Sequence, residues 1–172
     1  LDGEGTDDVA TGSNEHYTGG FKTKRVKISA DGNVVIIGAY LNDGGRNNGG
    51  HVRVYEWDPN TIPDPWYVAK REIAPGNTYT TAGMYTPTTP GKWVQRGPDI
   101  DGVDSGDNRN EPHDGEGLGW AVDINTDGSI IAVSSRQWAP ESTFTREKWG
   151  KVQVYEWNGT AHNTRGQPLY RD

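Results

Sequence analysis

Hydrophobic and polar residues alternate along two stretches that share the pattern VxVYEW, HVRVYEW at 51–57 and KVQVYEW at 151–157. Alternation at period two is typical of a β-strand with one buried face. Two longer stretches precede them, RVKISADGNVVIIGAY at 25–40 and AVDINTDGSIIAVSSR at 121–136. In each, an Asp-Gly pair separates two apolar runs, which is a strong signal for a β-hairpin. The pattern predicts strands and hairpins, and no segment is convincingly helical.

These stretches recur in the same order, which indicates an internal repeat. Val26 corresponds to Val122 at an offset of 96 residues, and the VxVYEW stretches are offset by 100. A third block also recurs, because Arg96-Gly97 corresponds to Arg165-Gly166. Each repeat is predicted to contain four strands. The predicted strands are 24–30, 33–40, 51–57 and 92–97 in the first repeat, and 119–125, 129–135, 150–157 and 163–169 in the second.

The two repeats differ in their loops. We assign residues 1–99 to the first repeat and residues 100–172 to the second. The first contains an insertion at about 58–91, in which PWYVAKREIA can add a strand and NTYTTAGMYTPTTPG is expected to be extended and exposed. The second has a longer loop before its third strand.

Composition narrows the possible functions. The chain has 172 residues, 24 of them glycine and seven tryptophan, and 31% are hydrophobic, which fits one turn-rich domain with a modest core. A net charge of -7 argues against binding nucleic acid through phosphates. The absence of cysteine excludes disulfides and thiol catalysis. No apolar run approaches about 18 residues, so we expect no membrane insertion.

Because the chain starts at Leu1 and its single methionine is Met84, we expect a processed product or a segment of a longer protein.

Three motifs together resemble a known family. KWVQRGPDIDG, ISADG and GHVRVYEWD in the first repeat, and GWAVDINTDGSIIAVSS, GKVQVYEWNG and RGQPL in the second, resemble FG-GAP repeats, the integrin-α-like β-propeller repeats. They are most similar to repeats of large surface proteins in algae and aquatic bacteria. The resemblance covers nearly all of the chain outside the insertion. It implies an all-β fold with one four-stranded antiparallel blade per repeat, and an extracellular or cell-surface location.

Two blades do not make a closed propeller, which typically needs about four to eight. Both outer faces would then expose apolar side chains unless neighbouring repeats or other copies of the chain cover them. We therefore expect a non-enzymatic extracellular structural or adhesive protein, whose blades pack against further copies in an oligomer or filament. One alternative is a calcium-assisted module of a larger surface protein that binds carbohydrate or protein. Another is a fragment of a secreted enzyme whose propeller is only a scaffold.

Calcium is the only cofactor that the sequence suggests. Asp123, Asn125 and Asp127 in DINTDG resemble the front half of a calcium loop, although the family's later acidic ligand is replaced by Ile131. The same residues also suit a plain hairpin turn. The acidic stretch DIDGVDSGD, with Asp99, Asp101, Asp104 and Asp107, is either a second candidate or a solvated loop.

The sequence lacks two common enzyme signatures, whereas paired carboxylates for glycoside cleavage depend on spatial proximity that the sequence does not show. It has no GxSxG elbow, and its four histidines share no metal-ligand spacing. His51 corresponds to Lys151, which favours an exposed strand position over a ligand. We predict that the protein is not an enzyme.

Tryptophans and possible glycosylation sites complete the set of candidates. Trp57 and Trp157 occupy equivalent positions and are predicted to pack within or between blades, whereas loop tryptophans suit assembly contacts or sugar stacking. These loop residues are Trp66, Trp138 and Trp149. Asn158 begins an N-glycosylation sequon. The insertion carries threonines that are either unmodified or O-glycosylated. They are Thr78, Thr80, Thr81, Thr86, Thr88 and Thr89.

Overall fold

The computed structural model describes residues 25–42, 48–63, 66–68, 83–85, 88–103, 115–139 and 148–170. These residues are all-β and include no helix, as the sequence predicts. The strands in chain order are β1 (Val26–Ile28), β2 (Val34–Ala39), β3 (His51–Asp58), β4 (Trp66–Val68), β5 (Gly83–Tyr85), β6 (Lys92–Gln95), β7 (Ile100–Asp101), β8 (Leu118–Ile124), β9 (Ile130–Ser135), β10 (Lys151–Trp157) and β11 (His162–Thr164).

Two antiparallel sheets correspond to the two repeats, except that β7, which the sequence assigns to the second repeat, pairs in the first sheet. The first has the order β1-β2-β3-β6, with the short β7 also paired to β3, and the second has the order β11-β10-β9-β8. We call them blade one and blade two. Neither closes into a barrel, so the predicted pair of tandem blades is confirmed.

Both Asp-Gly hairpins have the same backbone structure. Ser29 N donates to Val34 O at 2.8 Å, and its counterpart Asn125 N donates to Ile130 O at 3.0 Å. The turn glycines have φ of 78° for Gly32 and 72° for Gly128, in the left-handed region that glycine adopts without strain. The repeated sequence therefore gives a repeated local geometry.

Side chains alternate between the two faces of each blade. We call the face with Val34 and Val52 in blade one, and with Val152 in blade two, the forward face, and the opposite face the backward face. The forward face of blade one lies against the backward face of blade two, and the hydrophobic core fills the space between them. The buried forward-face residues of blade one are Val34, Ile36, Val52 and Val54. The buried backward-face residues of blade two include Val122, Ile131 and Val133. Packing of one repeat on the next thus forms the core.

The chain divides into two compact units, residues 57–94 and the remainder. The 57–94 unit contains a ribbon in which β4 pairs with β5, with Trp66 opposite Tyr85 in the backbone register. Trp57 and Trp93 meet edge to face with ring centroids 5.4 Å apart. The unit encloses the insertion that the sequence places at 58–91.

Candidate functional site

The interface between the blades contains polar contacts as well as the apolar core. Lys27 Nζ lies 2.9 Å from Asp123 Oδ1. Asp31 N donates to Thr126 O at 3.3 Å. Lys27 and Asp123 occupy the same repeat position, so a residue of blade one contacts its own counterpart in blade two.

Repeat positions that are buried at this interface are solvent-exposed on the outer faces of the two blades. On the backward face of blade one, Val26 is 44% exposed, whereas its counterpart Val122 is 4% exposed, and Ile28 beside it is 56% exposed. On the forward face of blade two, Val152 is 36% exposed, whereas its counterpart Val52 is fully buried. The chain therefore presents, at opposite ends, the two halves of the interface that it already contains.

Glycines permit the closest approaches between the blades. A Cβ at Gly50 would lie 2.2 Å from Leu118 O, and a Cβ at Gly128 would lie 2.5 Å from the Cβ of Val34. Gly32, the counterpart of Gly128, has nothing within 4 Å of the same point. This difference again marks the backward side of blade one as the open end.

An arginine–aromatic stack at the interface has no obvious sequence signal. The guanidinium carbon of Arg25 lies 4.2 Å from the Tyr40 ring centroid and 5.3 Å from that of Trp120. Arg136, the counterpart of Tyr40, lies 4.7 Å from the Trp120 centroid. The sequence does not predict this stack, because its members lie in or next to four different strands.

The candidate tryptophans lie in different settings. Trp157 stacks against His162 at a centroid distance of 4.8 Å, whereas its counterpart Trp57 is 40% exposed. Trp138 and Trp149 both contact Tyr170, with centroid distances of 4.9 and 6.4 Å. The side chain of Trp66 lies outside the described residues.

The oxygens of the candidate calcium loop take part in other hydrogen bonds. Asp127 Oδ1 accepts from the Ser129 amide at 3.0 Å and hydroxyl at 2.6 Å, and Asn125 Oδ1 accepts from Ile130 N at 2.9 Å. The Ser129 hydroxyl and then the Ser129 amide hold the pKa of Asp127 below its ordinary value. Asp123 Oδ1 pairs with Lys27. These contacts make a well-capped hairpin, and calcium binding there stays a prediction.

A second cluster brings together residues that are far apart in sequence. His51 lies opposite Asp101 in the β3–β7 pairing, and ligand atoms of His51, Asp99 and Asp101 lie within 4.8 Å of one another. Arg53 Nε and Nη2 donate to Asp99, and Gln95 Nε2 donates to Asp99 Oδ1 at 2.6 Å. The Arg53 hydrogen bond is the main cause of the lowered pKa of Asp99, which outweighs the opposing effect of burial.

Arg53 already neutralises the Asp99 carboxylate, so a cation would have to displace Arg53 to bind there. We therefore describe the cluster as a polar network. The prediction that His51 is exposed is wrong, because it is 6% exposed. Asp104 and Asp107 lie outside the described residues.

The glycosylation candidates are only partly described. Asn158 is exposed, and its Oδ1 accepts hydrogen bonds from the amides of Thr160 and Ala161, both at 2.9 Å, in a turn after β10. Thr88 and Thr89 are exposed. Thr78, Thr80, Thr81 and Thr86 lie outside the described residues.

Burial strongly shifts two titratable groups in blade two. Burial, with a smaller effect from Glu116, raises the pKa of Tyr155 to about 12. Burial, with a smaller effect from Arg96, lowers the pKa of His162 to about 4. Tyr155 packs against the core, and His162 against Trp157, so both shifts reflect packing.

Among the described residues, no helix has the length and apolar character needed to cross a membrane. Comparisons with protein-family models, curated proteins and solved structures find no match to this chain.

Proposed function

We propose that this chain is a non-enzymatic extracellular structural or adhesive repeat protein whose copies stack head to tail. The forward face of blade two in one copy would cover the backward face of blade one in the next. The observation that carries the proposal is the match between the open faces and the buried ones, position by position, at Val26 and Val122 and at Val52 and Val152.

The energetics favour covering these faces. Removing apolar surface from water contributes about 25 cal/mol per Å². The interface within the chain shows that these repeat positions pack to full burial. A head-to-tail contact of this kind is heterologous, so repetition gives a ring if the rotation closes and a filament if it does not. The extracellular location rests on the FG-GAP resemblance and on the exposed sequon at Asn158.

Two substitutions test the proposal by blocking opposite ends. Ile28→Asp places a charge on the backward face of blade one, and Val152→Asp places one on the forward face of blade two. We expect the wild-type chain to assemble and each variant alone to remain a single copy. Mixing the two variants should yield pairs and nothing larger, because one intact forward face then meets one intact backward face. Sedimentation velocity and electron microscopy measure these sizes.

Ile62→Asp is the matched control, since Ile62 is about as exposed as Ile28, at 54% against 56%, and belongs to no strand of either blade. This variant should assemble like wild type. A wild-type chain that stays single at every concentration contradicts the proposal, as does a mixture that forms no pairs.

A calcium titration tests the alternative function, a calcium-assisted binding module. A ligand that binds only the folded state raises Tm. If millimolar calcium raises the Tm of the chain and Asp127→Asn removes that rise, the hairpin of blade two is a calcium site. We expect no rise, because Ser129 already donates two hydrogen bonds to Asp127 Oδ1, with which a calcium ion would have to compete.

A further inference from the structure

Arg96 joins blade one to blade two. Its backbone N donates to Val54 O at 2.7 Å, which fixes it beside β3 in blade one. Its side chain then reaches across the interface, where Nη1 donates to Gly128 O at 3.1 Å and the guanidinium carbon lies 4.8 Å from the Trp157 ring centroid. Only 10% of the side chain is exposed.

Arg165 reproduces the half of this arrangement that lies within one blade. Its backbone N donates to Val154 O at 2.8 Å, and Val154 is the counterpart of Val54. Its guanidinium lies 3.5 Å from Glu156, just as that of Arg96 lies 3.5 Å from Glu56. The side chain of Arg165 is, however, 53% exposed.

The glycines that follow the two arginines also match. Gly97 has a φ of 79° and Gly166 a φ of 76°, so the chain leaves both arginines in the same direction. Backbone position, acidic partner and exit geometry therefore agree between Arg96 and Arg165. The described residues contain no third blade for Arg165 to contact.

We infer that Arg165 clasps the next copy of this chain by donating to the backbone carbonyl of that copy's Gly32. Gly32 is the repeat counterpart of Gly128, lies in the same hairpin geometry, and has no atom within 4 Å of its Cβ position. A guanidinium suits this role because it carries several donors in a fixed fork and stays charged at all physiological pH values. This inference rests on the proposed head-to-tail stacking and names the residue that gives the contact its direction and register.

The mixed pair of end-blocked variants isolates this contact. In that pair the Ile28→Asp copy supplies the forward end, including its Arg165, and the Val152→Asp copy supplies Gly32. Adding Arg165→Ala to the Ile28→Asp copy should raise the Kd of the pair about tenfold, the loss expected for one charge-assisted hydrogen bond with partial exposure. Adding the same substitution to the Val152→Asp copy should leave the Kd unchanged, since that Arg165 lies at the blocked end.

Two further measurements separate a clasp from a structural role. Arg165→Ala should leave the Tm of single copies unchanged, whereas Arg96→Ala should lower it, because Arg96, unlike Arg165, contacts the other blade of its own chain. Arg165→Lys should weaken the pair by an intermediate factor, since it keeps the charge and loses the fork.

The outcomes are distinguishable. Equal pair affinities with and without Arg165 in the forward copy overturn the clasp and leave the stacking intact. The clasp is also wrong if Arg165→Ala weakens the pair equally in the Ile28→Asp copy and in the Val152→Asp copy. If the parent variants form no pair, both the clasp and the stacking are wrong.

Discussion

At Gly50 the backbone of blade one comes so close to Leu118 that a side chain has no room. The site has a φ of 74°, and a Cβ would lie 2.2 Å from Leu118 O. Gly50→Ala therefore combines left-handed strain of about 1–2 kcal/mol with a backbone clash of about 1–3 kcal/mol. We expect the free energy of unfolding to fall by about 2–5 kcal/mol, measured by chemical denaturation of single copies.

Gly166 provides the matched control, because its φ is 76° and nothing lies within 4 Å of its Cβ position. Gly166→Ala should cost only the backbone strain, about 1–2 kcal/mol. Equal losses in the two variants would show that the approach to Leu118 is not as close as the structure indicates.

His162 should make the stability of the protein depend on pH. Burial lowers its pKa to about 4 in the folded chain, against about 6.5 when unfolded. The unfolded chain therefore takes up the proton first as pH falls. Stability from this group is complete above about pH 6.5, declines as pH falls towards 4, and declines no further below that. Because the ring is only partly buried, we expect a loss on the order of 1 kcal/mol.

His162→Phe keeps an aromatic ring against Trp157 and removes the titration. Unfolding free energies of both proteins at pH 7, 6, 5 and 4 give the contribution as a difference. The carboxylates whose pKa values are lowered, such as Asp99 and Asp127, lose their contribution at lower pH and cancel in this comparison. A constant difference across the series would show that His162 is already protonated or solvated in the folded state.

Among the elements, β10 is held at its first residue by a buried ion pair. Lys151 Nζ lies 2.5 Å from Glu116 Oε2, and the two side chains are 14% and 2% exposed. Glu116 precedes β8, so the pair joins the two outer strands of the β8-β9-β10 meander. Lys151→Ala leaves a buried carboxylate without its cation and should cost about 3–5 kcal/mol in the free energy of unfolding.

The double variant Glu116→Leu/Lys151→Met tests the cause. Replacing both charges by apolar groups of similar size is often nearly neutral, since no charge is left unpaired. We expect it to recover most of the loss in thermal and chemical unfolding. If the double variant is as unstable as Lys151→Ala, the loss comes from packing at the start of β10.

The strands themselves could be predicted, because their information is local. Period-two alternation and the Asp-Gly turns place β2 at Val34–Ala39 and β9 at Ile130–Ser135, each within one residue of the predicted bounds. The polar partnerships could not, because they join residues from different elements. His51 meets Asp99 and Asp101 only after the 58–91 insertion returns the chain to β3, and no spacing rule connects them.

At the scale of the whole molecule, the two repeats differ at the position of Gly38, and this difference affects the proposed contact between copies. Gly38 approaches Gly119 so closely that a Cβ would lie 2.4 Å from Gly119 O. Ser134 occupies the Gly38 position in blade two, where its hydroxyl bonds to the backbone of Ala121. In the proposed stack, the contact between copies therefore has to be wider at this point than the contact within a copy. The apolar faces and the Arg165 clasp do not depend on this position.

Salt should strengthen the proposed assembly, because each copy carries a net charge of -7. Stacked sheets lie about 10 Å apart, so neighbouring copies of two blades each would lie about 20 Å apart. At that separation two such charges repel by about 10 kcal/mol in unscreened water. Screening lowers this to about 5 kcal/mol at 0.01 M salt and to about 1 kcal/mol at 0.15 M.

A Lys27–Asp123 contact between copies would oppose this effect, since salt weakens ion pairs. An exposed pair contributes at most about 1 kcal/mol, however, and Asp123 is 69% exposed. The net repulsion is stronger than this attraction, so the dissociation constant of the end-blocked pair should fall by at least tenfold between 0.01 and 0.15 M salt, as measured by sedimentation. In Asp123→Asn, which removes the ion pair and one negative charge, the fall should persist. A dissociation constant that rises with salt would instead mean that ion pairs, and not apolar faces, hold the copies together.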